Sequence, residues 1–523
     1  MGAIEGGTAT EDIVTLILSV SPTDSGRTTP PAGSYYYKLG SMTKVSTQGV
    51  GYRFSHWAGD ASGDTAELSI VMDSDKEIIA VFTPNIYYVD TNSLADNPDG
   101  RSWATAFPTI QEAIDLAASD GGGEIWVTAG TYTATTDPIV TMQDGIFLYA
   151  GFTGTESERN ERNWEDNLTI IDGETERRCI IEASNTCIDG FNIINGFNHS
   201  GGGGVYNEAI SLVINNCTFS HNKANYDGAG IYNQGKEIII SNCIFVNNGA
   251  SYDGAAIYDE GENTIIDNCS FIQNIARGVG GCICTSGSTA ITGCTFLNNT
   301  VYSSDKGGAI YASGYSSISN STFNNNSGGS GGAIYIRYGL TPVISCSFTE
   351  NQANTGGGIF VLGDSPIIDC TFTGNKADNG GGVYLDGTYS SSEMINCYFT
   401  SNQAAENGGG IYCTSETAQI VNCTITENQA DSSGGGIYST RNVLSVTNCI
   451  IWGNTASTLP QISGTPTVTY SCIQEGYDGE GNIDTNPHLV YISNNIPMLQ
   501  ANSPCIDTGT LTNAPTTDLL GNA

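Results

Sequence analysis

The chain has 523 residues, with 17 Lys+Arg against 54 Asp+Glu and a formal net charge of −37. Such a charge repels nucleic acid and anionic lipid, so a nucleic-acid binder is excluded. Only 14% of residues are charged, which argues against long charged helices, and no apolar run reaches the ~18 residues of a membrane-spanning helix.

The first residues, Met1 to Glu5, carry no basic region, and the apolar stretch Ile13 to Val20 is short and follows Glu11-Asp12. No signal peptide is read there. The acidity and the repeats described below favour an exported protein whose leader lies outside this sequence. Residues 1–84 read as a small β module. Its strongest segments are Gly51 to Asp60 and Met72 to Phe82, and Pro84-Asn85 is a plausible boundary.

Residues 85–195 read as a cap followed by irregular coils. Tyr87-Tyr88-Val89-Asp90 predicts a strand. Pro108 to Ala118 predicts a short helix with Ile110, Ala113, Ile114 and Ala117 on one face. Glu124 to Val127 begins the coils. The loop Gly154 to Asn167, with Glu156, Glu158, Glu161, Arg159 and Arg162, reads as a solvated excursion.

Residues 196–475 are a repeat. A Gly-Gly-(Gly/Ala)-Ile-Tyr string places Ile or Val at 205, 231, 257, 283, 310, 334, 359, 383, 411 and 437. In phase with it runs Asn-Cys-Thr-Phe-x-x-Asn, whose last Asn falls at 222, 248, 274, 299, 326, 351, 375, 402, 428 and 454. A unit of 24–28 residues with short β-branched runs and Gly/Asn/Asp turns is one coil of a parallel β-helix. Helical repeats fail on periodicity, and leucine-rich repeats fail because most units contain no Leu. Each coil reads as three short strands. Asn216, Asn242, Asn268, Asn320, Asn396, Asn422 and Asn448 mark a tight corner, because Asn tolerates the left-handed backbone. Residues 476–523 read as a closing segment.

Strand alternation assigns the faces. Two residues after the Ile come Ala312, Ile336, Val361, Leu385 and Cys413; two after the Tyr come Ser313, Arg337, Leu362, Asp386 and Thr414. The first set is the more apolar, so Ile faces inward and Tyr outward. Cys and Phe of the third strand share parity and fit inside. Most of the sixteen cysteines then form an interior column of free thiols, because parallel side-chain vectors suit a disulfide poorly. Cys179 and Cys187, eight apart, are the expected bridge. Cys282-x-Cys284 replaces the Ala and Tyr of its coil and is not a zinc motif.

Several segments resemble known families. The Gly-Gly-Ala-Ile string with Phe-x-x-Asn resembles the repeats of polymorphic outer-membrane proteins, which are β-helical surface adhesins. Ser102 to Phe107 with Ile110 to Ile114 resembles the opening of right-handed parallel β-helices of the pectate-lyase-like superfold. Asn502 to Gly509 with Asp518 to Asn522 resembles the tail of the choice-of-anchor Q family. Residues 15–83 resemble an internalin-type B-repeat, a β-grasp-like module of surface proteins. These resemblances imply an all-β, right-handed parallel β-helix, export and surface display. They also imply a closing strand and an anchor beyond Ala523, so the tail reads as truncated.

No converging catalytic group is found. A lyase needs clustered carboxylates, often with calcium, and a nearby base, whereas Arg337 is the one cation on the Tyr-bearing face and Asp386 lies two coils away. Glycoside hydrolysis needs two carboxylates ~5–9.5 Å apart, which the spacing does not supply. His56, His199, His221 and His488 are scattered and read as packing or surface residues. Asp90, Asn92, Asp96 and Asp99 could hold calcium, but they lack the EF-hand spacing and read as a polar turn; no cofactor is expected. The remaining candidate surface is an outward aromatic row of Tyr206, Tyr232, Tyr258, Tyr311, Tyr335, Phe360, Tyr384, Tyr412 and Tyr438, flanked by Arg337 and Asp386. Such a row can stack on sugar rings or on a protein partner, or it can simply support the sheet. The reading is a non-catalytic adhesin, glycan-binding rod or spacer. Its rival is a polysaccharide lyase or glycoside hydrolase.

Overall fold

The structure is a computed structural model describing residues 13–22, 26–49, 52–302, 305–387, 392–415, 417–441, 443–491, 497–511, 515 and 519. Residues 1–12, Gly51, and Asp518, Leu520, Gly521 and Asn522 of the tail motif lie outside the described residues. The chain divides into two compact units, the first being residues 1–130, 142–169 and 184–187, the second the remainder.

The first unit opens with seven strands: β1 (Ile13–Ser21), β2 (Gly26–Thr29), β3 (Gly33–Lys38), β4 (Met42–Gly49), β5 (Tyr52–Gly59), β6 (Glu67–Val71) and β7 (Lys76–Pro84). They make a mixed sheet, ordered β3-β1-β7-β5, and an antiparallel sheet, ordered β2-β4-β6. Alternation along β1 and β7 buries Leu16, Leu18, Ile78 and Ala80 around Trp57 and Met72. The Trp57 indole N–H donates to the carbonyl of Thr65 at 2.8 Å, so the buried ring leaves no polar atom unpaired. Among the described residues this module has no helix.

The same unit contains the start of the coils. β8 (Ile86–Val89) pairs in parallel with β9 (Gly123–Thr128), and β9 pairs with Ile146–Phe152. Between β8 and β9 lies α1 (Ile110–Ser119). Thr109 caps it, accepting from the Glu112 amide, and Ile110, Ala113, Ile114 and Ala117 are its buried face, as the apolar spacing predicts. The loop 154–167 is largely exposed, as its charges predict, but it is anchored to the fold. Arg159 reaches back to the buried Glu124 at 2.8 Å and lies 4.5 Å over the Tyr149 ring. The other Glu124 oxygen accepts from the Trp126 indole at 2.9 Å. A carboxylate buried this deeply needs a cation and a donor, and the loop supplies the cation.

The second unit is a parallel β-helix. In one sheet Val205–Asn207, Ile231–Asn233, Ile257–Asp259 and their successors pair in register, Ile on Ile and Tyr on Tyr. In another, Thr218–Ser220, Ile244–Val246 and Ser270–Ile272 align Phe on Phe. A third aligns Leu212–Asn215, Ile239–Ser241 and Thr264–Asp267. Each coil thus has the three strands expected, and many coils add a two-residue fourth strand such as Lys223–Ala224 or Gly249–Ala250. The corner residues Asn216, Asn242, Asn268, Asn320, Asn396, Asn422 and Asn448 all have φ between 50° and 56°. The paired glycines are steric. Gly356 has φ 64°, and a Cβ there would lie 2.4 Å from the Ile359 carbonyl; a Cβ on Gly357 would lie 2.3 Å from the Gly381 carbonyl of the next coil.

The interior is built of columns. Ile of the Gly-Gly-Ile strand is buried throughout, and so are Cys and Phe of the Phe-bearing strand. Eight phenylalanines from Phe219 to Phe399 stack face to face at 4.6–4.9 Å. Ile425 and Ile451 continue that column. None of the sixteen cysteines is in a disulfide, and that includes Cys179 and Cys187. Cys179 faces the interior and donates to the Ile194 carbonyl at 3.5 Å, whereas Cys187 sits at an outward position of its strand. Burial, reinforced by hydrogen bonds to flanking thiols, pushes the Cys243 and Cys423 thiols well up from their ordinary value.

Candidate functional site

Two polar devices run inside the coils. The first is the asparagine of Phe-x-x-Asn. All ten copies are buried, from Asn222 to Asn454. Each side-chain amide donates to the carbonyl of the Phe-column residue one coil back and to the side-chain oxygen of the next Asn. Asn326, for example, donates at 3.0 Å to Phe296 and at 3.0 Å to Asn351. The backbone N–H donates to that same oxygen, and Gln461 terminates the column by accepting from Asn454 at 2.8 Å. The repeat spacing revealed these residues, but not that they were buried.

The second device lies two residues after the inward Ile. From Ala312 to Cys413 that position is apolar, as expected, and Ser439 ends the series. In earlier coils it is Asn207, Asn233 and Asp259, each at most 1% exposed. Asn207 donates to Asn233 at 2.8 Å, and Asn233 donates to Asp259 at 2.6 Å. Asp259 also accepts from the hydroxyls of Thr264 and Thr289 and from the Gly261 amide. Four donors make a buried carboxylate tolerable here.

The predicted binding row is on the outer face. Tyr206, Tyr232 and Tyr258 stack at 5.4 and 5.2 Å. Cys284 then takes the aromatic position, and Tyr311, Tyr335, Phe360, Tyr384, Tyr412 and Tyr438 resume the stack at 4.7–5.5 Å. The row is not uniformly open. Tyr335 is only 3% exposed, and Cys284, Tyr311, Tyr335 and Phe360 form a buried cluster joined by Val279 and Leu362. The middle of the row is therefore packing, and its two ends are half-buried.

Arg337 and Asp386 flank the covered middle. The Arg337 guanidinium donates to the Tyr311 hydroxyl at 3.3 Å and lies 5.2 Å over the Tyr338 ring. Asp386 accepts from Thr414 at 3.0 Å. Burial pushes the Tyr335 hydroxyl up to about 12, Tyr311 adds to the shift, and Arg337 and Asp386 act on it with opposite sign. Lys306 completes the surroundings, 4.9 Å over the Tyr335 ring.

At the first end of the row the neighbours are acidic. The Tyr206 hydroxyl donates to Glu208, a bond that raises its own pKa to about 12. The Tyr258 hydroxyl donates to Glu260 at 2.7 Å. Asp227 and Asp253 occupy one turn position in consecutive coils. The Asp253 amide donates to Asp227 at 2.8 Å, and the Val279 amide donates to Asp253 at 2.7 Å. Both carboxyls are held above their ordinary value, first by burial; Asp253 adds to the shift of Asp227, and Asp305 to that of Asp253. The Gly-Gly string hid this pair, because Asp recurs there in only two coils.

Asp90 accepts from the Asn92 amide at 2.9 Å and from Thr128 at 3.2 Å, and Asp99 accepts from the Arg101 amide at 3.0 Å. Among the described residues no group of three or more His, Cys, Asp or Glu is placed to hold a metal ion. No helix among them is long and apolar enough to cross a membrane.

With this geometry in hand, the chain can be set beside known proteins. The model of the right-handed β-helix region matches residues 204–377 and 308–474, together just over half of the chain. The chain belongs to the right-handed β-helix family. Residues 16–86 match the divergent InlB B-repeat domain. No curated protein matches the chain. Among solved structures it is similar to the A-module of mannuronan C-5 epimerase AlgE6 from Azotobacter vinelandii, with 14% identity over 76% of this chain and 100% of that one, at a TM-score of 0.34. It is similar to PfbA, a surface adhesin of Streptococcus pneumoniae, with 12% identity over 80% and 99% of the two chains and a TM-score of 0.33. It is also similar to the catalytic domain of a GH87 alpha-1,3-glucanase, with 12% identity over 84% and 78% and a TM-score of 0.40.

Proposed function

We propose that this β-helix is an exported, non-catalytic rod that holds an extended glycan or another surface partner along the ends of its outer aromatic row. The observation that carries the reading is the unbroken stack from Tyr311 to Tyr438, whose last members emerge from the packed middle. Stacked, half-buried rings present a stiff face with a repeated contact, which suits a polymer better than a small molecule. The B-repeat match and the low Lys/Arg count support display outside the cell. The finer kinship, with polymorphic outer-membrane repeats and the choice-of-anchor Q tail, belongs to the same reading.

Co-sedimentation of the full chain with insoluble polysaccharides, together with binding to a soluble glycan panel, tests this. Replacing Tyr412 and Tyr438 by Ser should weaken binding by about 5- to 150-fold, because each lost ring contact is worth ~0.5–1.5 kcal/mol. Unchanged binding would remove the row from the reading.

One observation favours the rival, a polysaccharide lyase or hydrolase. Asp227 and Asp253 are neighbouring carboxyls with raised pKa values, and Asp227 acts on Tyr232; perturbed carboxyls gathered on one face are candidate catalytic groups. Turnover of pectin, alginate or a glycosaminoglycan that disappears in Asp253→Asn would establish catalysis and end the non-catalytic reading.

A further inference from the structure

The column of inward cysteines ends on a different kind of neighbour. The column ends at Cys449, whose amide donates to the Ser471 hydroxyl at 3.0 Å; Cys472, 3% exposed, pairs with Ile450 and so points away from the column. Its thiol faces the closing segment rather than a rung. It hydrogen-bonds with Cys505, which arrives from the closing segment. It also donates to the Thr485 carbonyl at 3.2 Å. Both cysteines line one cleft of about 620 Å³, between the last coils and the segment around Leu489, Leu499 and Thr510.

The closing segment is positioned rather than loosely draped. Thr510 and Asn448 exchange two hydrogen bonds, each 2.8 Å, between the Thr510 backbone and the corner amide. The Ser503 hydroxyl donates to the Pro487 carbonyl at 2.6 Å and accepts from the Cys505 amide at 3.2 Å. Rungs within the column project in parallel, which opposes the near-perpendicular dihedral of a disulfide. Cys505 comes from outside the stack, so that restriction does not apply to it.

We propose that Cys472 and Cys505 are an oxidisable pair whose disulfide fastens the closing segment onto the last coil, the oxidant being a low-molecular-weight disulfide such as oxidised glutathione. Cys505 is the attacking thiol. It is the more exposed of the two, and the Cys472 hydrogen bond, with help from Ser503, holds its pKa down to about 7. Its thiolate attacks one sulfur of the external disulfide, forming a mixed disulfide and releasing one thiol. The Cys472 sulfur then attacks the Cys505 sulfur, forming the internal bond and releasing the second thiol. Two protein thiols are oxidised by two electrons, the reagent is reduced to two thiols, and the protons leave with them.

The full chain is incubated with oxidised glutathione, quenched with a maleimide, digested and mapped by mass. The expected product is a peptide joining Cys472 to Cys505, lighter by two hydrogens, with the column cysteines still thiols. Cys472→Ser should leave glutathione trapped on Cys505. Cys505→Ser should yield neither adduct nor cross-link, and it keeps the test decisive if the buried Cys472→Ser variant does not fold. The oxidised chain should lose its closing segment to a protease at least tenfold more slowly than the reduced chain. A wild-type chain that retains glutathione on Cys505, or one in which Cys472 is found joined to a different cysteine, would overturn the proposal.

Discussion

Replacing Asn326 by Ala tests the asparagine column directly. In the native coil the Asn326 side-chain oxygen accepts from the Asn299 amide at 2.9 Å and from the Asn299 side chain at 3.0 Å. Its nitrogen donates to Phe296 and Asn351. Alanine therefore strands two buried donors, the Asn299 N–H and one hydrogen of the Asn299 side-chain amide, while the Phe296 carbonyl keeps its place in the parallel ladder with the next coil. Asn351 keeps the Asn326 backbone N–H. At about 1–2 kcal/mol per stranded group, the coil loses about 2–4 kcal/mol, or roughly 30- to 10³-fold in its local opening equilibrium. Hydrogen exchange read by mass spectrometry on peptides spanning residues 290–330 measures that opening. Asn326→Asp adds a sign. It keeps the acceptor but sets a carboxylate against two oxygens, so its folded pKa is raised. Its stability should be highest at low pH, where the acid can donate, and be lost as pH rises through that pKa. The control is Asn324→Ala, whose side chain is exposed on the same strand. If Asn326→Ala opens the coil no more than this control, the column does not stabilise the fold and the reasoning fails.

Phe348→Ala should cost about 3–5 kcal/mol, because it removes one fully buried ring between two stacked neighbours; a loss below about 1 kcal/mol in urea titration would mean that the column collapses without penalty. Asp253→Asn keeps the acceptor for the Val279 amide and removes a carboxyl whose folded pKa is raised above 3.8. The native group loses stability as pH climbs from 3.8 through its folded value, so the variant should melt higher than wild type at neutral pH and equally near pH 3; the opposite ordering in a thermal scan would contradict the burial argument. Cys217, Cys243, Cys269, Cys294, Cys346, Cys370, Cys397, Cys423 and Cys449 should resist iodoacetamide in the native protein and react fully in denaturant without reductant. Rapid native alkylation would show that the column is accessible.

Much of this architecture was legible in the residues because a stacked solenoid repeats its constraints. The corner asparagines announced their left-handed backbone, alternation placed Ile, Cys and Phe inside, and the apolar spacing marked the face of α1. What stayed hidden depends on contacts that carry no period. Arg159 finds Glu124 thirty-five positions earlier, and nothing in the charge pattern of its loop distinguishes that pairing from solvation. The polar interior at Asn207, Asn233 and Asp259 contradicts a simple apolar-inside rule, and only the mutual hydrogen bonds make it tolerable. The aromatic row was correctly placed on the outer face, yet parity along a strand does not report what covers that face. Val279 and Leu362 bury its middle, and both come from positions outside the repeated strings.

The in-register columns also make the protein editable by whole rungs. Removing residues 327–351 would place Phe323 against Phe372, Ile310 against Ile359 and Asn326 against Asn375, each pair alike in kind to the one it replaces. Each coil meets its neighbours through the same surfaces, so unequal crossing-over within the gene could lengthen or shorten the solenoid without composing a new interface. Solenoid length is then a freely heritable variable, set by the number of rungs rather than by redesign of any one of them.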